Sequence, residues 1–109
     1  MKLSPLSIAA CSLLLVLTRA TAQTPPPDAR LTDNAVFRKD CAKCHGKTAE
    51  GRHFGGPSLI TEQVTSTPAD ELRHIITDGK HHMPKYSGKL TPEEINTLVD
   101  QIKTSNNKK

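Results

Sequence analysis

Tryptophan is absent from the 109 residues, and the chain has one tyrosine and two phenylalanines. Large aromatic side chains normally fill much of a small core, so this chain lacks a usual means of building one. Cysteine is scarce as well, with Cys11, Cys41 and Cys44 alone. So few thiols exclude the disulfide framework that holds many small exported domains together. No alternating β-branched run marks a strand, and no internal repeat is present. No basic patch is interleaved with aromatics, which excludes the usual nucleic-acid surface; Lys108-Lys109 reads as a solvated tail.

What is present starts with a leader. Met1-Lys2 is charged, residues 3–17 are mostly apolar, and Ala20-Thr21-Ala22 forms a small-residue cleavage site before Gln23. This is the pattern of a secretory signal peptide over residues 1–22, removed after Ala22, which predicts a periplasmic or otherwise exported protein. An uncleaved membrane anchor is the rival. The apolar run is short for a span and is interrupted by Ser4, Pro5, Ser7 and Ser12. Ile8-Ala9-Ala10-Cys11 resembles a lipoprotein-processing box. Cleavage there would leave the apolar stretch 13–17 on the mature chain.

Removing 22 of 109 residues leaves 87. Cys11, Lys2 and Arg19 leave with the leader, so the mature chain keeps two cysteines and 13 basic against 11 acidic residues. A core of that size, poor in aromatics, gives little stability by itself. The chain is therefore expected to fold around a large apolar guest and to fold poorly without it.

Residues 23–31 form a proline-rich linker with Pro25, Pro26 and Pro27 together. A single all-α domain is expected over residues 32–104, and a polar tail over 105–109. Its first helix is predicted at about 33–43, capped by Thr32 or Asp33, with Val36, Phe37, Asp40 and Cys41 on one stripe. Gly46, Gly51, Gly55 and Gly56 mark a loop that turns tightly and approaches a ligand closely. A short helical turn is expected near 61–64. Thr67-Pro68-Ala69-Asp70 starts a helix over about 68–78, with Leu72, Ile75 and Ile76 inward and Gly79 ending it. Thr91-Pro92-Glu93-Glu94 starts another over about 92–103, where Ile95, Leu98, Val99 and Ile102 follow helical spacing.

Between the first helix and the glycine loop lies Cys41-Ala42-Lys43-Cys44-His45. This C-x-x-C-H run is the attachment signature of a covalent haem. Cysteines three apart on a helical turn face one side, which suits addition of both thiols to neighbouring vinyl groups of a porphyrin. The imidazole that follows can then reach the iron. Two other readings remain open on the motif alone. One is a dithiol redox pair, which does not need the histidine. The other is a zinc site that drafts His53, His81 or His82, although no paired spacing supports it.

A sixth iron ligand is then needed. Met83 is the methionine left after the initiator, and it sits in a loop between helices, flanked by His82 and Pro84. A lone methionine is often core filler, but no helical stripe includes this one. Its thioether suits low-spin iron. His81 and His82 are the alternatives, giving a labile or bis-histidine distal site suited to a sensor or enzyme. His53 and His74 read as surface or hydrogen-bonded residues.

These motifs in this order resemble a small bacterial class I cytochrome c: Cys41 to Gly46, Gly55-Gly56-Pro57-Ser58-Leu59, Ile75 to Gly79, Met83-Pro84-x-Tyr86, and Leu90-Thr91-x-Glu93-Glu94-Ile95 with Leu98, Val99 and Ile102. The resemblance covers about 33–103 and is similar to the single-haem domains of terminal oxidase subunits. It implies one covalent haem c, with thioethers from Cys41 and Cys44, His45 as proximal ligand and Met83 as distal ligand. Pro57 would receive a proton bond from His45 on its carbonyl. Leu59, Ile76 and Tyr86 would line the pocket, and Arg52, Lys80 and Tyr86 are candidates for the propionates.

The implied function is electron transfer without bond-making chemistry. A monomer would dock weakly on a reductase and an oxidase at the haem edge, with Lys43, Lys47 and Lys85 nearby and no membrane contact after cleavage. The rival is a haem-bearing subunit of a larger oxidoreductase. Two departures stand out. Asp33 occupies a position usually small, and Gln101 one usually aromatic, so the crossing of first and last helices would rest on Phe37, Leu98 and Ile102.

Overall fold

The computed structural model describes residues 29–105. The signal peptide, the lipoprotein-like box, most of the proline-rich linker and all but Ser105 of the tail lie outside the described residues. The described part is helical, with two isolated β-bridges, Lys80 to Met83 and Ser87 to Leu90, in place of strands. A 3₁₀ turn at Leu31–Asp33 precedes helix α1, which is helical over residues 35–45. Helix α2 is the short turn Glu62–Thr65, α3 spans Ala69–Asp78, and α4 spans Pro92–Thr104.

Helix α1 starts later than expected. Thr32 and Asp33 are both good capping residues, but they belong to the 3₁₀ turn, closed by Asp33 N–H to Arg30 O and Asn34 N–H to Leu31 O. Asn34 is the cap instead. Its backbone is extended, its carbonyl accepts from Arg38 N–H, and its Oδ1 accepts from Val36 N–H at 2.9 Å. The helix is also not α-helical throughout. Phe37–Cys41 is π-helical, and the α-helical turn Ala42–His45 follows it. A π-helical turn takes up one extra residue and is most often found at functional sites.

Helix α4 forms as its sequence directs. Thr91 accepts from Glu94 N–H while the Glu94 carboxylate accepts from Thr91 N–H, a complete capping box with Pro92 at the first turn. The start of α3 differs from expectation. Thr67 does not cap it; its hydroxyl donates to Gln63 O, and Pro68 occupies the cap position without a side-chain bond. Gly79 ends α3 as predicted, at φ 77°.

The core is built from Leu31, Phe37, Ala42, Ala49, Leu72, Ile76, Ile95, Leu98, Val99 and Ile102. Helix α4 contributes four of these and packs on α3, α2 and the 3₁₀ turn. Ile75, expected inside, is half-buried. Two further residues of α4 do work that its pattern does not announce. Gln101 is 1% exposed. Lys103 Nζ donates to the carbonyls of Thr65 at 3.2 Å and Thr67 at 2.7 Å, so it binds the C-terminal end of α2.

Candidate functional site

The last turn of α1 carries Cys41, Cys44 and His45. Cys44 is exposed, Cys41 is half-buried, and His45 is buried at 8% exposure. The two sulfurs are free thiols here. Burial, then the neighbouring Asp40 and Cys44, push the Cys41 thiol up to about 11.

His45 is held from both sides. Its Nδ1 lies 2.7 Å from the carbonyl of Pro57. That carbonyl can only accept, so Nδ1 carries the proton and Nε2 keeps its lone pair. On the other side stands Gly56. A Cβ at this position would come within 2.7 Å of the imidazole Cε1 and Nδ1. Any side chain at 56 would therefore displace the ring. The intervening loop is fastened to the same turn by Gly56 N–H to Cys44 O and Gly51 N–H to His45 O, both 2.7 Å.

Met83 lies in the loop between α3 and α4. It is half-buried and packs on the core. The turn Lys80–Met83 closes through reciprocal backbone bonds of 3.3 and 2.9 Å, with His81 at φ 53°. Gly79 permits this turn, because a Cβ there would lie 2.6 Å from Met83 O. The segment beyond is pinned to α3 by Tyr86 N–H to Ile76 O and Ser87 N–H to Thr77 O. It is pinned to α1 by the Tyr86 hydroxyl, which donates to Asp40 O at 3.0 Å. One tyrosine thus joins the methionine loop to the helix that carries the cysteines.

His81 and His82 are both exposed on this turn. His53 is exposed and sits edge-on to Phe54, while His74 is exposed and pairs with Asp78 at 2.6 Å. Among the described residues, no three His, Cys, Asp or Glu side chains converge as a metal site. The four-ligand zinc alternative has no set of donors there. Two of the propionate candidates are engaged: Arg52 donates to Lys43 O at 2.9 Å, and Tyr86 to Asp40 O. Lys80 is exposed.

The donor chemistry fits a covalently attached haem better than a bare ion. Two thiols and a tautomer-fixed imidazole occupy one helical turn. Val36, Leu59, Ile60, Met83, Tyr86 and Leu90 are half-buried against the core. Ile76 belongs to the core itself. The Asn34 and Lys103 roles carry no sequence signal beyond residue type, and Gln101 is marked only as a departure at the helix crossing.

Residues 31–102 match the family described as "Cytochrome C oxidase, cbb3-type, subunit III". Cytochrome c55X of Paracoccus denitrificans (strain Pd 1222) is 31% identical over 99 residues, covering 87% of this chain and 94% of that protein. Cytochrome c6 of Nostoc sp. (strain PCC 7120 / SAG 25.82 / UTEX 2576) is 29% identical over 77 residues, 62% of either chain. The solved structure of c-type cytochrome NirC is similar with a TM-score of 0.56 and 28% identity, over 67% of this chain and 84% of that one. Family match, relatives and fold agree, and the chain belongs to the cytochrome c family of electron carriers.

Proposed function

We propose that the chain is an exported one-electron carrier holding a single haem c. Cys41 and Cys44 would hold it through thioether bonds, and His45 and Met83 would ligate its iron. Leu59, Ile76 and Tyr86 border the ring. Bound there, the haem supplies a one-electron iron couple whose potential a His/Met pair raises.

The observation that carries this reading is the 2.7 Å contact between His45 Nδ1 and Pro57 O. It holds the imidazole in one tautomer with Nε2 available, which is what a ligating histidine requires. Gly56 keeps the ring in that position. The Tyr86 hydroxyl holds the Met83 loop against α1. The side chains orient the cofactor and exclude water from it; they make and break no substrate bonds. The leader pattern supports export, and a reductase and an oxidase that dock briefly at the thioether edge are the expected partners.

The test is expression of the full chain in a periplasm with and without a haem-attachment system. Haem should survive denaturing electrophoresis only in the first case. The oxidised protein should show the near-infrared methionine–iron band, and Met83→Ala should lose it. A spectrum unchanged by Met83→Ala would overturn the ligand assignment.

The family description names an oxidase subunit. It favours a second reading, in which the domain works inside a larger oxidoreductase. Purification as a monomer that restores electron flow between a separate reductase and oxidase would decide for the free carrier.

A further inference from the structure

Gln101 is 1% exposed, and its Oε1 is taken by Asn34 Nδ2 at 2.8 Å. Its Nε2 then holds two N–H donors in the interior, with no acceptor among the described residues. A buried donor in that state has lost its hydration and gained nothing for it. Such orphans are explained by a water, an ion or a ligand. Gln101 also lines a cavity of about 350 Å³ between the 3₁₀ turn, the loop after α1 and the C-terminal end of α4. Small-molecule sites start at roughly 300 Å³. The cavity stands apart from the haem site proposed above. It includes none of Cys41, Cys44, His45 and Met83, and none of Leu59, Ile76 and Tyr86.

The charge on its lining has one sign. Arg30 and Lys47 line it, both are exposed, and neither is in an ion pair among the described residues. No Asp or Glu lines it. Glu50, just beyond on the loop, is exposed and accepts from the Thr48 hydroxyl. Leu31, Ala49 and Ile60 give the cavity an apolar wall, and Thr32 adds a hydroxyl. The backbone of that wall is already set. Ala49 is fully buried at φ 62°, a left-handed conformation unfavourable for alanine. It is held there by its own N–H on Gly46 O at 3.1 Å and by Leu59 N–H on its carbonyl at 2.8 Å. Strain held in place by its surroundings gathers at ligand sites, and a preset wall leaves little to be ordered on binding.

We infer that this cavity binds a small organic dicarboxylate of four or five carbons. Arg30 and Lys47 balance its two charges. The wall of Leu31, Ala49 and Ile60 covers its methylenes. At the inner end, Gln101 Nε2 donates to one of its oxygens. A phosphate or sulfate carries the charge but has no apolar part to lay against Leu31 and Ile60.

The experiment is calorimetric titration of the haem-loaded protein at low ionic strength, with succinate, butyrate and inorganic phosphate as probes. Succinate should bind about tenfold more tightly than either of the others. Arg30→Gln and Lys47→Gln should each weaken succinate by about tenfold. Lys39→Gln, which removes the same charge from an exposed position on α1, should leave it unchanged. In nitrogen–proton spectra of the reduced protein, the Gln101 side-chain amide should shift as succinate saturates, with no change in visible absorption. Phosphate binding as tightly as succinate would overturn the proposal in favour of a simple oxyanion site. Equal weakening by Lys39→Gln would make the attraction one of overall charge and overturn it. So would succinate binding that leaves the Gln101 amide unmoved, which places the ligand elsewhere. Absence of binding by all three probes would overturn it and leave a water as the partner of Gln101.

Discussion

Asn34 Nδ2 donates to Gln101 Oε1 at 2.8 Å, and both side chains are buried at 1% exposure. The bond joins the cap of α1 to the interior face of α4. Its direction is settled by the cap. Val36 N–H occupies Asn34 Oδ1, so the amide nitrogen must face α4 and Gln101 must present its oxygen. The consequence is that Gln101 Nε2 is buried without a partner among the described residues. At this crossing a polar pair stands where Phe37, Leu98 and Ile102 were expected to suffice, and Asn34, not Asp33, makes the approach. Asn34→Ala and Gln101→Ala should each destabilise the haem-loaded protein. Because they share one interaction, their effects should be non-additive, with a coupling of about 0.5–3 kcal/mol. Urea unfolding of the four members of the cycle measures it.

Gly56→Ala places a methyl against the His45 imidazole. The ring cannot both clear it and keep its 2.7 Å contact with Pro57 O. The expected result is a sharp fall in haem-loaded protein recovered from the periplasm, with an altered spectrum in what remains. Normal yield and spectrum would show that the loop yields instead.

Gly79→Ala acts on the distal side. The new Cβ meets Met83 O, and φ 77° is unfavourable for alanine. Weakening of the near-infrared methionine–iron band is expected, together with carbon monoxide binding by the reduced protein, while covalent haem content stays normal. Retention of the band at wild-type strength would count against a tight Lys80–Met83 turn.

The Tyr86 hydroxyl is pushed above its ordinary value, first by burial, then by the Cys41 thiol, Asp40 and the Cys44 thiol. In thioethers the two sulfurs carry no charge, so burial and Asp40 remain as causes. The fold favours the protonated hydroxyl, which donates to Asp40 O. Its contribution is therefore complete below the unfolded tyrosine value of about 10 and is lost as pH rises through the higher folded value. Tyr86→Phe should be less stable than wild type at neutral pH, and the difference should shrink above pH ~10. Thermal melts across that range give the comparison.

Lys103→Met removes the donor that holds the carbonyls of Thr65 and Thr67. A loss of about 1–2 kcal/mol is expected, with faster amide exchange concentrated at Val64 to Thr67. A uniform rise in exchange would mean that α2 is not held independently.

Much of this was legible in the sequence, for identifiable reasons. Helix α4 announces itself twice, through the Thr91/Glu94 box and the spacing of Ile95, Leu98, Val99 and Ile102, and both signals are local. The Cys41–His45 run and the glycines behind it are also local. The cap of α1 was not legible, because Thr32, Asp33 and Asn34 are all competent caps and only the 3₁₀ turn selects among them. The hydrogen bonds of Gln101 and Lys103 were not legible, since their partners lie 67 and 36 to 38 residues away. The turn that carries Met83 depends on a left-handed His81, which residue type does not advertise.

The π-helical stretch Phe37–Cys41 has a consequence for chain length. Deleting one residue from an α-helix rotates everything beyond it by about 100°. Here the extra residue is already absorbed in one wide turn, with Ala42 N–H reaching back to Phe37 O. Removing exposed Lys39 should convert that turn to plain α-helix and leave Phe37 in the core and Cys41 on its own face. Helix α1 is thus a place where the chain should be able to lose a residue without changing what either end presents.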